Sequence, residues 1–217
     1  MQPITISNIN FEAVKYCGTV PEEGLAQLQF LIDEGCTKQD EVLEIGCGAL
    51  VAGIPIMHYL DNGRYTGLEP NRWLIDDTLS VPQNAAIKQV KYPNFYHGLN
   101  FNISAGGCWQ RFDYIISHSV LTHTSLQQLD DFFSLCSWAG RPTVKVLFSC
   151  LLASKNQPET IDKYWHYPES VFISRQNLKF YIKEHGFRSI TERPDMKESI
   201  MKTHPSSNHD WFILERK

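Results

Sequence analysis

Two carboxylates and two glycines are the residues of this chain best placed to do chemistry. The apolar run Val42-Leu43-Glu44-Ile45 leads into Gly46-Cys47-Gly48, and about one strand-loop-strand later Tyr65-Thr66-Gly67-Leu68 ends in Glu69-Pro70. Glycines at a strand end let a ligand reach the backbone amides, because no Cβ stands in the way and a left-handed turn costs them little. A carboxylate one strand further on can accept from both hydroxyls of a ribose diol, its two oxygens matching the vicinal pair. In a parallel sheet both tips fall on the carboxyl edge, where α/β sheets bind ligands. Together they predict a nucleoside pocket, with Glu69 as its strongest single residue. Val51 stands where a dinucleotide-binding turn needs glycine or alanine, which argues against a nicotinamide cofactor.

Histidines supply the acid–base chemistry. Ser117-His118-Ser119 follows the apolar run Phe112 to Ser117, His123 comes a helical turn later, and His166 lies in Tyr164-Trp165-His166-Tyr167. Imidazole titrates near neutral pH, so each can take a proton from a hydroxyl. The plainer alternatives are a packing histidine bonded to backbone for His123 and a backbone-only ligand contact for His118. His204 is a weaker candidate. Phe11, Tyr16 and Trp165 are read as a roof over the pocket, since aromatic faces suit a cation and an apolar acceptor, or else as ordinary packing.

These residues need an alternating scaffold. Pro21-Glu22-Glu23-Gly24 opens a helix with Leu25, Leu28, Phe30, Leu31 and Ile32 at helical spacing, closed by Gly35. The pattern then predicts a strand over 41–45, a helix over 50–60 with Pro55 tolerable only near its first turn, a turn at Asp61-Asn62-Gly63, a strand over 64–68 and a helix over 72–79. A polar loop around Pro82 precedes a short strand within 95–103, and Gly106-Gly107 breaks the chain. A buried strand over 112–117, an amphipathic helix over 126–138 and an apolar strand over 143–152 follow. Residues 154–173 read as a lid or substrate segment. A helix from Ser174 to His185 stops at Gly186, and strands over 187–192 and 210–215, joined only by a loop, form an antiparallel hairpin. Such alternation predicts an α/β, three-layer architecture: a seven-stranded sheet, mostly parallel, covered on both faces.

Composition narrows the function. At 217 residues the chain fits one domain, read as 1–217 with a cap and helix over 1–35 and a core over 41–217. The net charge of −4 comes without any lysine or arginine run, so nucleic acid is not expected as a partner. Six scattered cysteines show no CxxC pair and no matching histidine spacing, so neither a metal site nor a disulfide framework is expected. No segment has the length and apolarity of a membrane span, and Met1 to Thr5 lacks a signal pattern. A reduced cytoplasmic enzyme, monomer or homodimer, is the expectation.

Glu44-Ile45-Gly46-Cys47-Gly48, Glu69 after the second strand, Phe112-Asp113-Tyr114-Ile115-Ile116 and the final strand pair resemble a class I S-adenosylmethionine-dependent methyltransferase, over nearly the whole chain. Asp113 to His123, Tyr167-Pro168…Phe172…Ser174-Arg175 and His204-Pro205 resemble the small-molecule type. The resemblance implies a Rossmann-like fold and S-adenosyl-L-methionine as cofactor. It implies that Gly46, Cys47 and Gly48 meet the methionine part, with Glu44 near its amino acid group, and that Glu69 and Pro70 flank the ribose. It also places Asn102 at adenine N6 with Phe101 along the ring, Ser117, His118 and Ser119 beneath the methyl, and Tyr16 over the cofactor. The third glycine of many members is Leu50 here, and Asn102 stands where aspartate is commoner. The Asn/Asp-Pro-Pro-aromatic pattern of amino-methylating DNA enzymes is missing. The implied reaction is methyl transfer to a small-molecule acceptor, an oxygen of a biosynthetic metabolite, with His118, His123 or His166 as base. N-methylation of a small molecule or peptide, and a binding module without turnover, are the alternatives.

Overall fold

A computed structural model describes residues 11–18, 20–103 and 108–216. The elements are α1 Phe11–Cys17, α2 Pro21–Asp33, β1 Val42–Ile45, α3 Gly53–Tyr59, β2 Tyr65–Leu68, α4 Arg72–Ser80, α5 Pro82–Lys91 and β3 Asn94–Tyr96. They continue with β4 Phe112–Ser117, α6 Leu126–Ala139, β5 Gly140–Cys150, α7 Arg175–Glu184, β6 Ser189–Glu192, α8 Pro194–Thr203 and β7 Asp210–Glu215. The strands form one seven-stranded sheet in the order β3-β2-β1-β4-β5-β7-β6. The first five run parallel, and β7 is antiparallel to both β5 and β6.

Burial on both faces explains why the central strands read as continuous apolar runs: all four residues of β1 are buried, and so are all four of β2. Side chains alternate between two cores. Leu43, Ile45 and Ile115 pack with Phe132 and Phe133 of α6 and Leu178 of α7. Val42 and Ile116 pack with Phe30 and Leu31 of α2, Ile56 of α3 and Met196 of α8. The chain winds outward from β1 to β3 and then returns to the other side of β1 with β4. The tips of β1 and β4 are thus neighbours at the point where the winding reverses, and loops leaving in opposite directions open a crevice there.

Two expected loops are helices. Pro82 and Pro194 each open one, α5 and α8, at the first helical position. There the missing N–H would be unbonded in any case and the fixed φ already suits the helix. The last two strands therefore pair antiparallel as expected, but a helix rather than a bare loop joins them. The strand expected within 95–103 is confined to Asn94–Tyr96, and Phe11–Cys17 is a short helix the pattern did not indicate. The chain break at Gly106-Gly107 and residues 1–10 of the N-terminal cap lie outside the described residues, as does the side chain of Phe11. Among the described residues, no helix is long and apolar enough to cross a membrane, and no group of histidine, cysteine and acidic side chains could hold a metal ion. All six cysteines are free thiols.

Candidate functional site

A cavity of about 510 Å³ opens at the crevice, within the size range of small-ligand pockets. Its floor is the turn after β1. Gly46 N–H donates to the Leu68 carbonyl at 2.8 Å, which ties the tip of β1 to the tip of β2. Gly46 lies at φ +73°, and a Cβ there would stand 2.2 Å from Cγ2 of Val120, so any larger residue would meet both backbone strain and a displaced Val120 side chain. Leu50, in the place of the missing third glycine, also adopts a left-handed φ of +57°. That conformation costs a side chain roughly 1–2 kcal/mol; burial of Leu50 among Ile54, Tyr65 and their neighbours in the second core offsets it.

Glu69 joins this turn to the next strand. Gly48 N–H donates to its Oε2 at 3.1 Å and Asn71 N–H to its Oε1 at 2.8 Å. A carboxylate has about four acceptor positions, so each oxygen keeps one for a further donor. Burial pushes the Glu69 carboxyl up, and the Asn71 and Gly48 amides pull against it. Glu44 is more deeply enclosed. Burial, with Glu69 adding repulsion, pushes its carboxyl up to about 8, although Tyr65 donates to its Oε2 at 2.6 Å. A cation seated beside these two acids would find one acid ready to ionise and another holding unused lone pairs.

The three histidines proposed as bases separate. His123 lines the cavity, and its Nδ1–H donates to the Glu169 carbonyl at 2.7 Å. A carbonyl only accepts, so the proton sits on Nδ1 and Nε2 keeps its lone pair. Burial lowers the His123 pKa, with the Glu169 carbonyl opposing, so the ring is neutral at pH 7. His118 also borders the cavity, but its ring nitrogens meet other groups. Nδ1 is 2.9 Å from Ser149 Oγ, and Nε2 is 3.8 Å from Glu23 Oε1, an ion-pair distance rather than a hydrogen bond. The ring stacks on Trp211 at 5.0 Å. His166 does not line the cavity; its Nε2 pairs with Asp162 at 2.8 Å, and its backbone N–H donates to the His123 carbonyl. His204 pairs with Glu23 away from the cavity.

Of the other expected contacts, Tyr16, Cys47, Pro70, Phe101 and Ser119 border the cavity, and so does Trp165 of the expected roof. Ser117 does not: it is buried inside β4. Asn102 does not either; it is exposed, and Asn100 lies at the cavity instead. Asn100 and Phe101 both adopt left-handed φ, 53° and 57°, which turns the chain so that the earlier asparagine faces in. Asparagine tolerates that conformation better than most residues, which is the signal that favours position 100. Gln128 donates from Nε2 to Asn100 Oδ1 at 3.4 Å, while its own Oε1 accepts from the Ser125 N–H at the start of α6. Asn100 is left with amide donors free for a ring nitrogen. Asn71 and Gln128 are lining residues that the sequence reading did not single out, Tyr167 entered it only within a family pattern, and Glu23 meets the cavity only through His118.

No protein-family model matches the sequence, and no curated protein matches it. Solved structures do resemble it in fold. Magnesium protoporphyrin IX methyltransferase from Synechocystis PCC 6803, with S-adenosylhomocysteine bound, superposes with a TM-score of 0.63 at 14% identity, covering 96% of this chain and 89% of that one. Geranyl diphosphate C-methyltransferase from Streptomyces coelicolor A3(2), in complex with Mg2+, geranyl diphosphate and S-adenosyl-L-homocysteine, gives 0.59 at 12% identity, covering 89% of this chain and 80% of that one. The chain has the seven-stranded fold of the class I S-adenosylmethionine-dependent methyltransferases.

Proposed function

We propose that this protein transfers the methyl group of S-adenosyl-L-methionine to a hydroxyl oxygen of a small biosynthetic metabolite, with His123 as the base. The observation that carries the reading is the His123 ring. It borders the cavity, its Nδ1 proton is committed to the Glu169 carbonyl, and its Nε2 is free to accept.

The cradle at the strand tips fits the cofactor. Glu69 retains acceptor capacity on each carboxylate oxygen for the ribose hydroxyls, Glu44 is available to an ammonium, and Asn100 offers donors to adenine. When bound, S-adenosylmethionine supplies an electrophilic methyl on a cationic sulfur and leaves as a neutral thioether. The remaining work falls to the chain. The residues around the cavity hold the acceptor oxygen in line with the methyl, about 3 Å from it, and exclude water. His123 Nε2 takes the hydroxyl proton as the new C–O bond forms. Its pKa, kept below the ordinary imidazole value by burial, leaves it unprotonated and able to do so at neutral pH.

Mass spectrometry of a cell extract incubated with the protein and methyl-deuterated donor tests the reaction, and a labelled product identifies the acceptor by mass. Tight donor binding without labelled product would instead mark a binding module without turnover. Glu69→Ala tests the cradle: calorimetry should show donor affinity weakened by about 1–3 kcal/mol, the cost of removing hydrogen bonds to a buried charged group. Unchanged affinity would remove Glu69 from the site.

A further inference from the structure

Of the large aromatic side chains that the fold leaves exposed, three line the cavity beside the exposed Leu99, and a fourth abuts one of them. Tyr16 comes from α1, Trp73 from α4, and Trp165 and Tyr167 from the connection between β5 and α7. Each leaves between 38% and 53% of its surface open. Their rings form a continuous series. Trp73 meets Tyr16 edge-on at 5.2 Å, Tyr16 lies 5.8 Å from Tyr167 at a tilt, and Trp165 stacks along Tyr167 at 6.3 Å. The Tyr167 hydroxyl donates to the Tyr16 carbonyl at 3.2 Å, which fixes α1 against the later segment. His123 stands edge-on to Tyr167 at 5.1 Å, so the ring that carries the free nitrogen belongs to the same wall. Contiguous exposed aromatic surface around a concave opening marks a binding site, because a solvated surface gains nothing from it.

Charge narrows the occupant further. Among the described residues that line the cavity there is no lysine or arginine, and its acids are Glu44 and Glu69 at the strand tips. An anionic acceptor would find no side-chain cation in the wall to hold it, only the sulfonium, whose charge is lost on transfer. A cationic acceptor would approach a sulfonium of its own sign. An uncharged acceptor meets neither penalty, and a flat face suits the rings.

We propose, resting on the methyl-transfer reading above, that the acceptor is an uncharged ring bearing a hydroxyl, held face-on by the Tyr16–Trp165–Tyr167 wall with that hydroxyl turned to His123. The same chemistry has two sources, a hydroxylated arene or the flat C–H face of a sugar ring, and the test separates them.

Calorimetry first measures S-adenosylhomocysteine binding to the whole protein. The saturated complex is then titrated with naphthol, with methyl glucoside, with hydroxynaphthoate and with decahydronaphthol. The proposal expects naphthol or the glucoside to bind at least about tenfold more tightly than hydroxynaphthoate, and whichever of the two binds identifies the source. Trp165→Ala should weaken that ring by roughly three- to tenfold, the range of an aromatic contact, with S-adenosylhomocysteine affinity kept. Hydroxynaphthoate binding as tightly as naphthol, decahydronaphthol binding as well as any flat ring, or no ring binding to the saturated complex would overturn the acceptor class alone. Absence of S-adenosylhomocysteine binding would instead sink the function on which it rests.

Discussion

His118 and His123 are five positions apart and live in opposite surroundings. His123 belongs to the aromatic rim, with one nitrogen anchored on a carbonyl and the other open to the cavity. His118 belongs to a buried polar cluster beneath the strand tips. There Glu23 of α2 accepts from the His204 Nδ1 at 2.9 Å and from the Val20 N–H at 3.2 Å. His209 approaches Ser119 and Ser207 at 3.3 and 3.1 Å. Ser149 Oγ accepts from the Ser119 N–H at 2.9 Å, so the cluster holds the left-handed turn at Ser119 that borders the cavity. The contrast teaches that bordering the cavity does not by itself leave a histidine free to act as a base. A histidine whose nitrogens are both engaged by buried partners positions a loop, whereas one with a single fixed proton has a lone pair to offer.

The sharpest way to break this contrast is to remove each histidine and see which measurement moves. His123→Ala should lower turnover by roughly 10²–10⁴, the usual contribution of a positioned base, with donor affinity kept. His118→Gln should show its loss in thermal stability instead. A collapse of turnover in His118→Gln with His123→Ala active would reverse the assignment.

Glu23 anchors the buried side of the comparison. It is fully buried, and burial alone would push its carboxyl up; interaction with His118 and hydrogen bonds from His204 and Ser207 outweigh this and hold it at about 2. Removing one partner of a buried charged network leaves the others unpaired, so Glu23→Ala should cost about 3–5 kcal/mol of stability. Urea denaturation measures this, and a loss below 1 kcal/mol would mean the cluster is far more hydrated than its burial indicates.

Acid should affect the two regions differently. Burial, with repulsion from His118 adding, lowers the His209 pKa to about 3; Glu23 raises it, while His123 and Lys197 lower it further. Below pH 6.5 the unfolded chain takes a proton that native His209 refuses, so stability falls as pH drops from 6.5 towards 3. Glu23 has the depressed carboxyl, so its stabilisation is present above 4.5 and is lost as pH falls from there towards 2. His209→Gln should flatten the first part of the stability curve and leave the second. Turnover should fall on its acid side only below the ordinary imidazole value, as His123 protonates.

How much of this was legible in the sequence depends on how local each cause is. The strands were readable because strands buried on both faces are continuous apolar runs, as in Phe112 to Ser117, where five of six residues are buried. The meeting of the Gly46 turn with Glu69 was readable because each half sits at the end of such a run. The helices opening at Pro82 and Pro194 were read as loops because proline stops a helix from within and starts one at its first position, and the residues alone do not say which. Asn102 was expected at the cavity and Asn100 was not, because asparagine's tolerance of a left-handed turn does not say which of two neighbouring asparagines takes it. Glu23 gave no signal at all: its hydrogen-bond partner His204 lies 181 positions away, and a glutamate in the first turn of a helix ordinarily faces water.

The smallest effect belongs to His166. It sits four positions from Asp162 on the connection after β5, with a 2.8 Å contact between Nε2 and Oδ1 of a half-exposed aspartate. Exposed pairs of this kind add little to stability. Its backbone N–H, which donates to the His123 carbonyl, survives any substitution except proline. His166→Ala should therefore leave both turnover and stability within about twofold and 0.5 kcal/mol of the parent. His166→Pro removes that N–H and should disturb the segment carrying Trp165 and Tyr167. Acceptor affinity should fall with it while S-adenosylhomocysteine binding persists. If His166→Ala alone abolished turnover, the base would lie in the segment over the cavity, and the free nitrogen of His123 would need another explanation.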